Sequence, residues 1–305
     1  MTTAEPARPN APAPSAPRRL SAWLHERPRL RLGALLVAPF GWFGVVYFGS
    51  LAVLFAYAFW SLDPQTGVVV KSFTLSNFQR MVTDPVYGAI VQRTVAVAAI
   101  VTVADALIAF PIAYYMARVA SPRRRALLFM SVLLPLWASY LVKVYAWRVI
   151  VAPSGILDWA FHLVGITDSS SVLGVSDVSM TIVFIYMWLP YMILPIYAGL
   201  ERIPSSYLEA SADLGARSGQ TFRRVILPLV LPALVAGSIF TFSLTLGDYI
   251  IPQLVSNTQF IGNVVYVSQG VAGDIPFAAA FALVPVGIMA VYLLVARRLG
   301  AFDAI

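Results

Sequence analysis

Apolar residues run almost unbroken through six stretches of the chain: roughly Gly33 to Trp60, Ala89 to Met116, Ala126 to Ile150, Ser179 to Leu200, Leu229 to Ile251 and Phe277 to Val295. A helix needs about 20 residues to cross the hydrocarbon core of a bilayer, so each stretch is long enough. Inside lipid the backbone has no water to bond, and a helix satisfies its own polar groups. The pattern therefore predicts an all-α fold, a polytopic membrane protein with six transmembrane helices. Between the spans the chain turns polar. SLDPQTGVVVKSFTLSNFQRMVTDPVYG follows the first and ARVASPRRR follows the second. Gly155, Asp158, Asp168 and a serine run lie after the third, and a long loop without lysine or arginine precedes the sixth. Residues 1–20 are rich in proline and alanine with no apolar period, which predicts a disordered tail. Residues 21–32 (SAWLHERPRLRL) are basic and predict a membrane-proximal surface segment. The first apolar run starts too late and is too long for a cleaved signal peptide. No internal repeat stands out.

Composition agrees with membrane residence. Of 305 residues 59% are hydrophobic and 11% charged, with a mean hydropathy of +0.79. Soluble domains carry about one quarter charged residues. The chain has no cysteine, which excludes disulfides, thiolate metal sites and a cysteine nucleophile. Its two histidines, His25 and His162, fall in the basic tail and a loop, so no metal site is expected. The net charge is +7, and its placement accounts for it better than a nucleic-acid partner would. Sixteen of the 21 lysines and arginines lie on one side: Arg8, Arg18, Arg19, Arg27, Arg29, Arg31, Arg118, Arg123, Arg124, Arg125, Arg202, Arg217, Arg223, Arg224, Arg297 and Arg298. Lys71, Arg80, Arg93, Lys143 and Arg148 make up the other five. The bias of basic residues toward the cytoplasm then puts both termini and the loop between the fourth and fifth spans on that side.

That loop, Ser206 to Pro228 (SYLEASADLGARSGQTFRRVILP), is a polar interruption between two long apolar runs. Ser206 and Glu209 have the spacing of a capping box. A helix is expected through Leu214, with Gly215 supplying the left-handed residue that ends it. Ser218 is placed to cap a second helix, and Pro228 to stop it. A helix pair of this kind has no core of its own, and it predicts a partner surface to bury Leu208, Ala212 and Leu214. The plainer reading is a solvated helical loop. The chain holds no ATP site of its own: a phosphate-binding loop needs lysine after glycine, and Lys71 and Lys143 both follow valine. No G-x-S-x-G elbow is present either, so an enzyme reading has no catalytic constellation.

The run Glu209-Ala210-Ser211-x-x-x-Gly215, followed nine residues later by Val225-Ile226-Leu227-Pro228, resembles the EAA loop of ABC importer permeases. Serine stands at the third position in place of alanine, and Val225 in place of isoleucine. Ser72–Phe78 before the second span, Pro111–Tyr114 at its end, and LPLWASYLVKVYAWRVI in the third are similar to the same family. The last of these, with Gly155-Ile156-Leu157, is similar to the spermidine/putrescine permeases of the PotB and PotH type; related permeases for other small organic solutes share much of the pattern, and such a solute is the alternative. The resemblance covers roughly residues 70–297, a permease core of five spans with a coupling loop at 201–228. It implies a type I importer fold in the bacterial inner membrane. It also implies partners: two cytoplasmic ATPase subunits, a second similar permease and an extracytoplasmic substrate-binding protein. ATP and Mg would be bound by the ATPase, with no cofactor in this chain. Glu209, Ala210, Ser211, Asp213, Gly215 and Arg217 would form the ATPase-coupling site.

Polar groups inside the spans mark a pathway or a buried pair. Asp105 lies near the middle of the second span. Ser238, Thr241, Thr245 and Asp248 in the fifth are three, four and three apart, which puts them on one helical face. With Asp105 and Tyr140 they are the candidate substrate path for a cation. Hydrogen bonding between helices is the structural alternative for the hydroxyls, and pairing with a basic group for Asp105. Lys143 and Arg148 read as snorkelling to the outer interface, and Trp60, Trp147, Trp159 and Trp188 as interfacial anchors or core. A second class of function stays open on the residues alone: a secondary transporter driven by an ion gradient, with Asp105 or Asp248 as its ion site.

Overall fold

The computed structural model describes residues 28–153, 155–163 and 174–298. The expected tail at 1–20, Asp168 and the serine run lie outside them. The chain divides into two compact units, Met1–Ala56 and Tyr57–Ile305. In the first, helix α1 (Pro28–Phe43) passes through a π-turn at Gly44–Phe48 into α2 (Gly49–Tyr57). The helix therefore begins within the basic segment, five residues before Gly33, while the stretch apolar enough to cross a membrane is Leu35–Tyr57.

The second unit opens with a short antiparallel hairpin, β1 (Ser61–Leu62) paired to β2 (Val69–Val70). Its turn is held by Asp63, whose carboxylate accepts from the Gln65 N–H at 2.9 Å and the Thr66 hydroxyl at 2.8 Å. Next comes α3 (Ser76–Thr83), tied back by Asn77, which donates to the Ala58 and Trp60 carbonyls at 3.0 and 2.8 Å. Helix α4 (Pro85–Tyr114) starts on an Asp84 cap and ends in a π-turn at Tyr115–Val119. The third span is not straight. Helix α5 (Pro122–Trp137) stops at Ala138, and α6 (Tyr140–Ile150) leaves at 99° to it. Ala138 and Ser139 are extended between them. The uninterrupted third helix expected over 126–150 is corrected to this broken one.

A short helix α7 (Ile156–Leu163) precedes α8 (Asp177–Glu201). The loop region follows as α9 (Ser205–Asp213) and α10 (Ser218–Thr221). A π-turn at Phe222–Ile226 then leads directly into α11 (Leu227–Gly247). Pro228 does not stop this helix. The wider turn before it, in which the Leu227 N–H reaches the Phe222 carbonyl, admits a residue that cannot donate. The loop before the last span holds a π-turn at Pro252–Ser256 and a helix of its own, α12 (Ile261–Gly270), before α13 (Ile275–Arg298). Five of the described helices are long and apolar enough to cross a membrane, and six if the bent pair counts as one span.

The core is built where α4, α8 and α11 pack together. Ala109, Ala113, Met192, Ile196, Leu200 and Val230 are buried at the end that carries the 201–228 loop. Val101, Phe184, Met187, Trp188 and Ile251 fill the other end. Small residues permit the close approach: a Cβ on Gly237 would stand 2.8 Å from Met192 Sδ, and one on Gly199 2.5 Å from Ala233 Cβ.

Candidate functional site

Two regions carry the polar chemistry, one at each end of α11. The first is the helix corner formed by α9 and α10. Helix α9 closes as a Schellman turn: the Gly215 N–H bonds the Ala212 carbonyl at 2.8 Å and the Ala216 N–H bonds the Ser211 carbonyl at 3.0 Å. Gly215 has φ +75°, the left-handed conformation expected of it. The buried Ser211 hydroxyl meets the Thr221 hydroxyl at 2.8 Å and pins the two helices together. That contact gives a reason for a hydroxyl at the position where alanine stands in the pattern. Gln220 accepts from the Arg217 N–H at 2.9 Å and squares off the start of α10.

The capping box is corrected. Pro204, not Ser206, stands at the N-cap, and no side chain bonds there. Proline's fixed φ of −63° starts the helix at Ser205, which leaves Ser206 inside the first turn. Glu209 is exposed and pairs with no described residue. The burial expectation divides. Leu208 packs against the protein's own core together with Phe222. Leu214 is 88% exposed, and Ala212 and Asp213 are exposed beside it. An open groove of about 550 Å³ runs along the corner, lined by Tyr207, Ser211, Leu214, Gly215, Gln220 and Arg224.

Two arginines missed as site residues hold this corner to the bundle. Arg118 donates through Nη2 to the Leu200 and Ile203 carbonyls, at 2.5 and 2.7 Å. Arg125 donates to the Met116 and Ala117 carbonyls, both at 3.1 Å, and pairs with Glu201 at 3.4 Å. Tyr197 donates to the same Glu201 oxygen at 3.2 Å. In the sequence these arginines are part of the charge bias alone.

The second region lies where α11 ends. Asp248 is its C-cap residue and has two structural bonds through one oxygen. Oδ1 accepts from the Ile250 and Ile251 N–H groups at 2.7 and 3.0 Å, and so caps the turn that follows. The other oxygen accepts from the Tyr140 hydroxyl at the start of α6. The Tyr140 ring stacks on Trp188 with centroids 6.1 Å apart, and Trp188 meets Tyr191 edge-on at 5.9 Å. Asp248, Trp188, Tyr249, Ser243 and Gly247 line a cavity of about 340 Å³.

The remaining candidates do not join this cavity. The buried Ser238 hydroxyl donates to the Val235 carbonyl at 2.7 Å and accepts from Tyr292 of α13 at 2.8 Å. Thr241 meets Thr102 of α4 at 3.4 Å, and Thr245 donates to the Thr241 carbonyl at 2.8 Å. The stripe thus faces α4 and α13, with its hydroxyls bonded inside the bundle. Asp105 is fully buried on α4, and neither of its oxygens has a hydrogen-bond partner among the described residues. The basic partner considered for it is absent there. Lys143 is half-buried on α6 and Arg148 exposed. No cluster of metal-binding side chains occurs among the described residues.

Comparison with known proteins follows the same lines. The family described as "Binding-protein-dependent transport system inner membrane component" matches residues 109–302. The inner membrane ABC transporter permease protein YdcU of Escherichia coli (strain K12) is 47% identical, over 94% of this chain and 95% of its own length. The spermidine/putrescine transport system permease protein PotB of the same organism is 29% identical, over 87% of this chain and 96% of its own. Among solved structures, a bacterial ABC transporter involved in the import of the acidic polysaccharide alginate superposes with a TM-score of 0.66 at 16% identity, covering 92% of this chain and 99% of that one. A chain of the inward-facing MetNI methionine ABC transporter gives 0.52 at 16% identity, covering 69% and 92%. At such identities the structural likeness concerns the fold.

Proposed function

We propose, for a chain that belongs to the family of binding-protein-dependent transport system inner membrane components, the import of polyamines of the spermidine and putrescine class. Membership makes it an ABC importer permease subunit and not an enzyme; the ATPase is a separate subunit, and a substrate-binding protein serves the complex. The polyamine reading draws on the likeness to PotB. One observation carries it: a carboxylate, Asp248, stands beside the rings of Tyr140, Trp188 and Tyr249 at a cavity of about 340 Å³. A carboxylate supplies charge to an ammonium group, and aromatic faces add cation–π attraction. In this reading Tyr140 and Asp248 belong to the substrate pathway, while Ser238, Thr241 and Thr245 hold helices together.

The coupling site comprises Glu209, Ala210, Ser211, Asp213, Gly215 and Arg217. The corner they form offers one of the complex's two cytoplasmic ATPase subunits the open groove and a carboxylate, Glu209, that pairs with no described residue. Both termini and this corner face the cytoplasm, and a second, similar permease completes the path. ATP and Mg reside in the ATPase. Closure of the ATPase pair displaces the corner, and the bundle alternates between inward- and outward-facing states that bind substrate differently.

The test is ATP-driven uptake of radiolabelled putrescine and spermidine by proteoliposomes holding the full complex and its binding protein. Asp248→Asn keeps an oxygen for the Ile250 and Ile251 caps and removes the charge. Uptake is expected to fall at least about tenfold, with the complex intact. Full uptake by the variant, or no polyamine uptake by the natural complex, overturns the substrate assignment.

A further inference from the structure

The loop between the second and third spans packs against the start of the 201–228 corner, and the bonds there are unusually direct. Leu200, in the last turn of α8, and Ile203, just past its end, are the last buried residues before Pro204 caps α9. A helix leaves its final carbonyls without intrahelical donors. Here one guanidinium nitrogen, Arg118 Nη2, donates to both the Leu200 and Ile203 carbonyls, at 2.5 and 2.7 Å. Arg118 belongs to the π-turn that ends α4, 82 and 85 residues away in the chain. From the opposite direction Arg125, on α5, takes up the Met116 and Ala117 carbonyls and reaches Glu201. Three helices therefore meet at these two side chains. Met116, Ala117, Leu200, Ile203 and Ile226 are buried in one cluster around them. Arg123 and Arg124, in the first turn of α5, are exposed and pair with no described residue.

We propose that Arg118, with Arg125, is the joint through which displacement of the corner reaches α4 and α5. The joint passes motion from Pro204 to α4 and α5 as well as along α8. Arg118 is a positioning residue: it touches neither substrate nor nucleotide, and it acts by fixing the end of α8 to the end of α4. Without it α9 can move with the ATPase while α4 stays behind. The charge-assisted bonds it makes are stronger than neutral ones and keep a fixed geometry. This inference rests on the ABC importer assignment and not on the polyamine reading, so its test uses no transported solute.

The chain has no cysteine, so Ser243→Cys at the cavity by Asp248 gives a single reporter thiol in this chain, and labelling is read on this subunit alone. The complete complex carrying that cysteine is reacted with a charged methanethiosulfonate reagent, without nucleotide and after trapping with ATP, Mg and vanadate. ATP hydrolysis is measured on the same samples. The natural joint is expected to give a nucleotide-dependent change in labelling rate. Arg118→Ala is expected to shrink that change at least about fivefold, within the usual range of coupling between sites, while hydrolysis continues. Arg123→Ala removes an equal charge from the nearby first turn of α5 and should leave the response intact. Arg118→Lys keeps the charge on a shorter point donor and should fall between the two; it decides the matter if the alanine variant does not assemble. The proposal is overturned by an unchanged response in Arg118→Ala or Arg118→Lys, by an equal loss in Arg123→Ala, or by a thiol that ignores nucleotide in the natural joint.

Discussion

Replacing Gly215 by alanine separates two reasons for a glycine at the corner. One is crowding: a side chain would strike something. The other is backbone conformation. A Cβ built at Gly215 meets nothing within 4 Å, so crowding within the chain is absent. Its φ of +75° is a conformation that costs an L-residue about 1–2 kcal/mol. About 1 kcal/mol corresponds to roughly a fivefold shift in the population of the formed corner. Asparagine tolerates the left-handed region better than alanine does. The expected order of corner stability is therefore glycine, then asparagine, then alanine, although asparagine is the larger side chain. Amide hydrogen exchange at Gly215 and Ala216 reads this directly, because both N–H groups are bonded only while the turn is closed. Exchange should rise about fivefold in Gly215→Ala and less in Gly215→Asn. The melting temperature of the chain should hardly move, since the corner is exposed. An asparagine variant that exchanges faster than the alanine variant would refute the conformational reasoning, and so would an alanine variant indistinguishable from the natural chain.

Gly262 is the opposite case. A Cβ there would lie 2.7 Å from the Asp248 carbonyl oxygen and 2.8 Å from that of Gly247, both backbone atoms, so Gly262→Ala should cost about 1–3 kcal/mol and lower the melting temperature, with Gly219→Ala in open space as a near-neutral control. Asp105→Leu removes two buried oxygens that have no partner and should raise the thermal stability of the purified chain; a lowered melting temperature would show that the carboxyl is held by something. The turn at Asp63 should be sensitive to acid. Bonds from Gln65 and Thr66 hold the Asp63 carboxyl below its ordinary value of 3.8, so its stabilisation is present above that pH and is lost as pH falls through the depressed value. Amide exchange at Gln65 should accelerate there, and Asp63→Asn should lose the dependence.

Much of the architecture is legible in the residues because lipid imposes a simple rule. Long apolar runs must be helices, and the five straight spans follow those runs. Gly215 was equally readable, since a helix that must stop and turn sharply needs a residue free to take positive φ. The departures come from proline and from distance in sequence. Pro204 displaced the cap from Ser206, because its fixed φ and missing N–H suit the position just before a helix. Pro228, expected to end a helix, lies inside one, since the π-turn before it carries the misfit. The break at Ala138–Ser139 is flanked by Pro135, yet no apolar count distinguishes a bent span from a straight one. Arg118 shows the limit most clearly. Its partners are backbone carbonyls more than 80 residues away, and carbonyls are the same in every residue. Of the stripe, Ser238, Thr241 and Thr245 lie on α11 while Asp248 stands in extended backbone just past its end, and the period of a helix says neither where the helix stops nor whether a face meets water or another helix.

The passage from α10 through the π-turn into α11 has a mechanical consequence. Because Pro228 does not interrupt it, the chain from Ser218 to Gly247 is one continuous helix of 30 residues. At 1.5 Å per residue it is a rod about 45 Å long. One tip sits at the corner, next to Thr221 and Ser211; the other is Asp248, latched to Tyr140. A rod pivoting about one tip by about 10° carries the other through about 8 Å. A modest tilt of this helix at the corner is thus enlarged at the Asp248 end, beside whatever the Arg118 joint passes to its neighbours. The latch between Asp248 and Tyr140 is where that leverage arrives.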